Sequence, residues 1–230
     1  KKLENIRKDF IANLSHELRT PVAVIRANSE SLVDGALDDK EIAQKFSNAI
    51  LKNSEKLSYL LEDILNLSTI ESGEYNLELA ENGVSDIFKN SINSVISNNP
   101  DLKIINNISS DVEVICDVKA LSQVIDNLIE NSVKYGISKE CNEIIINMKD
   151  QGSKVRFEIE DHGQGIPADQ RERVFERFFR IQNNNTSLKE GTGLGLSIVK
   201  NLVNLMGGSV GNEKAYPGGT IFWFTLNKKN

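Results

Sequence analysis

Phe10–Ile25 reads FIANLSHELRTPVAVI, and its apolar residues keep helical time. Leu14, Leu18, Ile25 and Leu32 fall on one stripe at about 100° of turn per residue. His16 lies about 200° from that stripe, close to opposite it. Thr20, four residues on, shares its face, and Glu17 sits about a quarter-turn aside. The helix thus sends one of the chain's two histidines toward solvent, with a carboxylate and a hydroxyl near the ring. Neutral imidazole, with an ordinary pKa of about 6.5, is a usable nucleophile near neutrality. A carboxylate that takes the proton of one ring nitrogen leaves the other richer in electrons. Pro21 removes a helical hydrogen bond just past the histidine and permits bending. A lone exposed histidine is usually only a surface residue, so His16 gains weight only if the rest of the chain supplies chemistry for it.

A second helix comes after it. Ile50, Asn53, Leu57, Leu60, Ile64 and Leu67 alternate spacings of three and four, the rule of a coiled-coil seam with polar Asn53 available to set register. VDGALDDKE between the helices supplies Gly35 and a cluster of acids, a turn and a helix start. Two helices this amphipathic expose an apolar stripe, and pairing with a second copy as a four-helix bundle covers it. At STIESGEYNLEL the grammar changes. Ser72 and Gly73 end the helix, and short β-like runs then alternate with helical ones. KIINNI, EVICD, NEIIINMK, KVRFEIED and GTIFWFTL read as strands; VSDIFKNSINSVI, VKALSQVIDNLIENSVKYG and LGLSIVKNLVNLMGG read as helices. Several strands adjoin without a helix between them, which argues for a mixed α+β layer with helices on one face rather than a doubly wound sheet. The expected domains are 1–73, a helical hairpin, and 74–230, an α+β two-layer sandwich.

Composition narrows the function. The 230 residues are 39% hydrophobic and 26% charged with a net charge of −6, which gives no electrostatic case for nucleic acid or an anionic membrane surface. No apolar run approaches the ~20 residues that span a bilayer. Cys116 and Cys141 have no metal-ligand spacing, and a reducing, cytoplasmic setting fits them. The chain opens in helical pattern, as the cytosolic end of a longer protein would.

Three pieces of the second region suit a nucleotide. In NLIENSVKYG, Asn127 and Asn131 share one helix face, where two amide oxygens, with Glu130 nearby, suit a hydrated Mg²⁺; Lys134 and Tyr135 close the helix. In EDHGQGIP, Gly163 and Gly165 allow close approach to a flat ligand, and Asp161 at a strand end can accept from an exocyclic amine such as that of adenine. In GTGLGLSIVK, glycines 191, 193 and 195 lead into a helix and present amides to an anion. Between the last two runs RVFERFFRIQNNNTSLKE, basic, aromatic and then rich in asparagine, the pattern of a lid.

FIANLSHELRTP resembles the phospho-acceptor box of the sensor histidine kinases of two-component signalling. NLIENSVKYG, DHGQGIP, VFERFFR and GTGLGLSIVK resemble that family's nucleotide-domain boxes in the family's order. The resemblance covers nearly the whole chain and implies a dimerising phosphotransfer hairpin joined to a Bergerat-type ATP-binding domain. By position it makes His16 the phosphorylated residue, Glu17 the acid that activates it, and Thr20 the group that positions a hydrolytic water. It implies Asn131 as the main Mg²⁺ ligand with Asn127 in support, and Lys134, Tyr135 and Arg180 along the nucleotide. Asp161 would read the adenine amine, with Gly163, Gly165 and Ile166 against the ring and Thr220 near the same end. Phe175 and Phe178 would anchor the lid, and Gly191, Thr192, Gly193, Leu194, Gly195 and Leu196 would form the loop facing the phosphates. The implied partners are a second copy of the chain and the receiver domain of a response regulator; the cofactors are ATP and Mg²⁺. His162 stands where the family commonly has asparagine, and Ser132 where it has alanine or glycine. Two other readings share the nucleotide pieces: a Bergerat-fold ATPase driving a clamp, which needs no stem histidine and employs a glutamate early in the asparagine helix, and a non-catalytic dimeric scaffold.

Overall fold

The computed structural model describes residues 2–110, 112–137, 141–181 and 191–229, and these form two compact units, Lys1–Ser68 and Thr69–Asn230. The first is a hairpin of two long helices. Helix α1 runs Lys2–Val33 and carries Pro21 inside it, which frees the Glu17 carbonyl from its usual partner. Gly35, at φ 117°, turns the chain into one 3₁₀ turn, Ala36–Asp38. Helix α2 then runs Lys40–Ser72. Its start is capped by Asp39, whose Oδ1 accepts from the Glu41 and Ile42 amides at 3.0 and 3.1 Å. Gly73, at φ 74°, ends it.

The seam of α2 lies as its spacing requires: Leu60 and Leu67 are buried, and Ile50, Asn53, Leu57 and Ile64 are half-buried. The Asn53 amide donates to the Ala49 carbonyl at 2.8 Å. A second apolar set stays outside. Leu51, Leu61 and Leu65 are more than half exposed and lie within about 80° of one another around α2, roughly 110° from the seam.

The second unit contains strand β1 (Ala80–Gly83), helix α3 (Ser85–Asn98), β2 (Lys103–Asn106), β3 (Glu113–Cys116) and helix α4 (Val118–Tyr135). It continues with β4 (Glu143–Asp150), β5 (Lys154–Asp161), helix α5 (Gly195–Leu205), β6 (Ser209–Lys214) and β7 (Thr220–Asn227). Five strands form one mixed sheet in the order β2-β4-β5-β7-β6, with β2 parallel to β4 and the other pairs antiparallel. β1 and β3 make a separate antiparallel ribbon. Alternate residues of β5 and β7 turn inward, so Val155, Phe157, Ile159, Phe222, Phe224 and Leu226 are buried. They share the core with Leu121, Val124, Ile125, Leu128 and Ile129 of α4 and with Ile198, Leu202 and Val203 of α5. Phe157 stacks on Phe224 at 5.1 Å and tilts against Phe88 of α3 at 5.4 Å. Each such side chain, fully buried, contributes about 1.5–3 kcal/mol. The mixed sheet with helices on one face is the sandwich expected from the strand spacing.

Two strands escape the sequence pattern. β1, AENG, has no alternating apolar residues, and only its pairing with β3 defines it. β6, SVGNEK, is a polar edge strand that follows α5 directly. Its Gly211 lies beneath Trp223, where a Cβ would come within 2.4 Å of the indole.

Asp117 ties the entry of this unit to α4. Its Oδ1 caps the helix by accepting from the Ala120 amide at 2.9 Å, and its Oδ2 accepts from the Glu78 amide at 2.8 Å. The carboxyl is buried, yet these backbone donors hold its pKa below the usual carboxylate range against the opposing effect of burial.

Candidate functional site

Helix α4 supplies one wall. Asn127, Asn131 and Tyr135 are spaced by four residues and share one face. The loop leading into α5 lies along that row. A Cβ on Gly195 would meet the Asn127 Oδ1 at 2.4 Å, and one on Gly191 would meet the Tyr135 hydroxyl at 3.3 Å. The loop therefore runs antiparallel to α4, with half-buried Asn131 between the two contacts. The Asn127 amide nitrogen donates to the Gln123 carbonyl at 2.9 Å, which fixes its oxygen toward Gly195.

Gly193 adopts φ 72°, and its carbonyl accepts from the Phe178 amide at 2.9 Å. A Cβ on Gly193 would strike Phe178 at 2.8 Å, so glycine is needed both for the turn and for the close approach. Phe178 itself sits at φ 57°, the one non-glycine positive φ among the described residues, a strained backbone of the kind found at binding clamps. The Thr192 hydroxyl accepts from the Leu194 amide at 3.2 Å. Leu194 is buried, and no side chain caps the first turn of α5. The amides of Gly195, Leu196 and Ser197 are thus oriented as an anion-accepting helix start.

Asp161 closes the other end at the last position of β5, and it is 3% exposed. Its Oδ1 accepts from the Gly163 amide at 3.0 Å and from the Thr220 amide at 3.2 Å; both bonds use the same oxygen, leaving Oδ2 for an outside donor. Burial raises the Asp161 pKa above the usual carboxylate range, opposed by those amides and by nearby His162. Three loops converge here without room to spare. Added Cβ atoms on Gly136 and Gly163 would fall 2.2 Å from the Asp161 Cβ and 2.3 Å from the Tyr135 carbonyl, and one on Gly219 would fall 1.9 Å from the Asp161 carbonyl. Gly165, at φ 73°, backs onto the Gly219 carbonyl, with half-buried Ile166 beside it. Gly136 closes NLIENSVKYG and Gly219 precedes Thr220, but only the folded packing reveals why they must be small.

Phe175 is buried edge-on against Phe222 at 6.3 Å, so this part of the expected lid segment packs on the sheet. Arg180 is half-buried. The Lys134 ammonium lies 3.4 Å from the Glu130 carboxylate across one helical turn. Residues 182–190 of the lid lie outside the described residues.

The phospho-acceptor candidates belong to the other unit. His16 and Thr20 are exposed and Glu17 is half-buried. The Thr20 hydroxyl donates to the His16 main-chain carbonyl at 3.3 Å; the backbone, not the imidazole, engages it here, as serine and threonine commonly do within helices.

The donor set also bears on a metal. Among the described residues no group of three or more histidine, cysteine or acidic side chains could hold one. Asn131 and Asn127 fit a hydrated Mg²⁺ that draws its charge balance from nucleotide phosphates and keeps several waters.

A helical stem bearing an exposed histidine, joined to a sandwich whose glycine loop lies along an asparagine helix, defines a class of phospho-acceptor and ATPase-fold proteins. A family described as "Histidine kinase-, DNA gyrase B-, and HSP90-like ATPase" matches residues 116–230, and one described as "His Kinase A (phospho-acceptor) domain" matches residues 6–73. Sensor histidine kinase WalK of Bacillus subtilis (strain 168) is 32% identical over 230 residues, which is 99% of this chain but only 38% of WalK. Full-length ShkA in complex with AMPPNP superposes with a TM-score of 0.67 at 26% identity, covering 96% of this chain and 46% of ShkA. ThkA in complex with the response regulator protein TrrA shares the fold, with a TM-score of 0.73 at 24% identity and coverage of 99% and 64%. The chain belongs to the sensor histidine kinase family, and it corresponds to that family's catalytic core.

Proposed function

We propose that this chain transfers the γ-phosphoryl group of ATP to His16 and passes it on to an aspartate in the receiver domain of a response regulator. The observation that carries this reading is the asparagine row of α4 lying along the glycine loop, with Asp161 at its end keeping one carboxylate oxygen for a donor. The nucleotide complex of ShkA and the ThkA–TrrA complex support it by analogy. Asp161 Oδ2 accepts from the adenine amine, while Gly163, Gly165, Ile166 and Thr220 shape the slot for the ring. The amides of Gly195 and Leu196, with Lys134 and Arg180, face the phosphates, and Tyr135 lies alongside. Mg²⁺, held by Asn131 with Asn127 in support, supplies charge neutralisation when bound.

In the transfer the imidazole nitrogen of His16 forms a bond to the γ-phosphorus as the bond to the bridging oxygen breaks and ADP leaves. Glu17 takes the proton from the other ring nitrogen. Such a transfer depends on in-line placement and charge stabilisation more than on covalent help from the protein. Thr20, released from its backbone bond, positions water for hydrolysis of the partner's phosphoryl group. The functional unit is a homodimer paired through the stem, and it works in the cytoplasm as part of a membrane-anchored sensor. Among the described residues no helix is long and apolar enough to cross a membrane.

One feature favours transfer to histidine over a water-activating ATPase. Helix α4 carries no glutamate before Glu130, and Asp126 is hydrogen-bonded to Ser91 and half-buried. The test is incubation with γ-labelled ATP. Acid-labile, base-stable label on the wild-type chain and none on His16→Gln is expected; label that persists in His16→Gln refutes the assignment.

A further inference from the structure

The segment that leads to Arg180 is tied down along its length. The Arg171 carbonyl accepts from the Asn212 side-chain amide of β6 at 2.7 Å, and the 3₁₀ turn Arg173–Phe175 sets Phe175 against Phe222 of β7. The Glu176 amide donates to the Arg173 carbonyl at 2.8 Å, and the Phe179 amide donates to the Glu176 carbonyl at 3.3 Å. Residues 173–179 thus fold back on themselves, and the Arg173 guanidinium lies over the Phe179 ring, 4.4 Å from its centroid. The Glu176 carboxylate stands 3.8 Å from the Arg173 Nε, beyond hydrogen-bond reach, so the ring rather than an ion pair directs the guanidinium. Inside this loop sits Phe178 at φ 57°. A left-handed backbone at a bulky residue is costly and persists only where its surroundings over-determine it. On one side the Gly193 carbonyl accepts from the Phe178 amide at 2.9 Å; on the other, the next residue is held by its stack with Arg173.

We propose that Arg173 is a positioning residue for the phosphate end of the site: its stack on Phe179 keeps Phe178 in the strained turn and so aims Arg180 at the terminal phosphate. The inference rests on the proposed placement of Arg180 along the phosphates. Were Phe178 to relax to a negative φ, every peptide after it would be redirected, and Arg180 is only two residues on. Asp161 takes its place from β5 and from the amides of Gly163 and Thr220, so the adenine end does not depend on this stack. Loss of the stack therefore acts unevenly along the nucleotide, most at the phosphate that ATP has and ADP lacks. The attraction is between a cation and the negative face of an aromatic ring. Tyrosine at position 179 keeps that face, and leucine removes it at similar bulk.

Calorimetric titration of the whole chain with AMPPNP and with ADP, each with Mg²⁺, tests this. Arg173→Gln is expected to lower the preference for AMPPNP over ADP about 2- to 5-fold and to slow labelling of His16 at saturating ATP. Phe179→Leu should lower it by a similar factor, Phe179→Tyr should keep the wild-type preference, and the Arg173→Gln, Phe179→Leu double variant should lose no more than either alone. Arg180→Gln should lower the preference too, and on that background Arg173→Gln should change nothing further. An unchanged preference in Arg173→Gln, or equal losses for both nucleotides, overturns the proposal. Additive losses in the double variant, or an Arg173→Gln effect that survives in Arg180→Gln, also overturn it, in favour of direct contact between Arg173 and the nucleotide. A folded wild type that binds neither nucleotide overturns the functional reading itself, and this inference with it.

Discussion

Asp161 concentrates the chemistry of the site in one side chain. Asparagine can keep both amide contacts on its oxygen, but it presents a nitrogen where Oδ2 stood and turns an acceptor into a donor. Asp161→Asn is therefore expected to fold and to weaken ATP by at least about 10-fold, measured by titration calorimetry. The pH dependence has a definite sign. The folded carboxyl titrates above its unfolded value, so the native state holds more protons in the interval between the two. Stability of the free protein falls as pH rises from about 3.9 through the folded pKa. ATP prefers the ionised form, so its affinity should fall as pH is lowered through that same folded pKa, with a midpoint above the ordinary carboxylate value; Asp161→Asn should remove this dependence. At this scale the sequence was informative wherever a motif has its own chemistry. The candidate residues His16, Asp161 and the glycines of the α5 loop were weak signals singly and drew attention because their boxes occur in one order along the chain. The buried Ser132 hydroxyl, unpaired among the described residues, and the Cβ forbidden at Gly136 are properties of packed neighbours, which no spacing shows.

Elements were legible in proportion to their own periodicity. α1, α2, α4 and α5 carry a 3.6-residue pattern, and β4, β5 and β7 are eight-residue runs rich in Ile, Val and Phe with alternating burial along part of each, so all of these could be located in the sequence. β1 is only four residues long and largely exposed, and β6 places Gly211 where a strand would ordinarily carry a β-former; each is a strand because of what it pairs with. The contact of α4 with the loop after β5 is of the same kind and makes a sharp test. Gly136→Ala drives a methyl into the Asp161 side chain at 2.2 Å, and neither backbone can yield without moving the Asp161 carboxylate. The expected cost is about 1–3 kcal/mol in denaturant unfolding, with weaker ATP binding that Asp161→Asn does not deepen additively, since the two residues touch.

At the scale of the whole molecule the two units separate their tasks, and their apolar surfaces differ accordingly. The sandwich buries Phe88, Phe157, Phe222 and Phe224 within one chain. The stem leaves Leu51, Leu61 and Leu65 more than half exposed on α2, the surface that pairing with a second copy would cover. Leu61→Glu is expected to shift the chain from dimer to monomer in light scattering while leaving ATP affinity within about 2-fold, because no residue of the nucleotide site lies on the stem; a dimer that survives would place the pairing face elsewhere. The sequence could show the need for a partner, since the stripe was visible. It could not show which face remains outside, because the seam residues and the exposed set differ only in their angle about α2.

The Asp117 carboxylate serves two segments at once: it caps α4 through the Ala120 amide and grips the Glu78 amide. One buried acceptor for two backbone donors makes their order inseparable, so its loss frees the first turn of the helix and the entry of the sandwich together. Asp117→Ala is therefore expected to cost about 1–3 kcal/mol in denaturant unfolding.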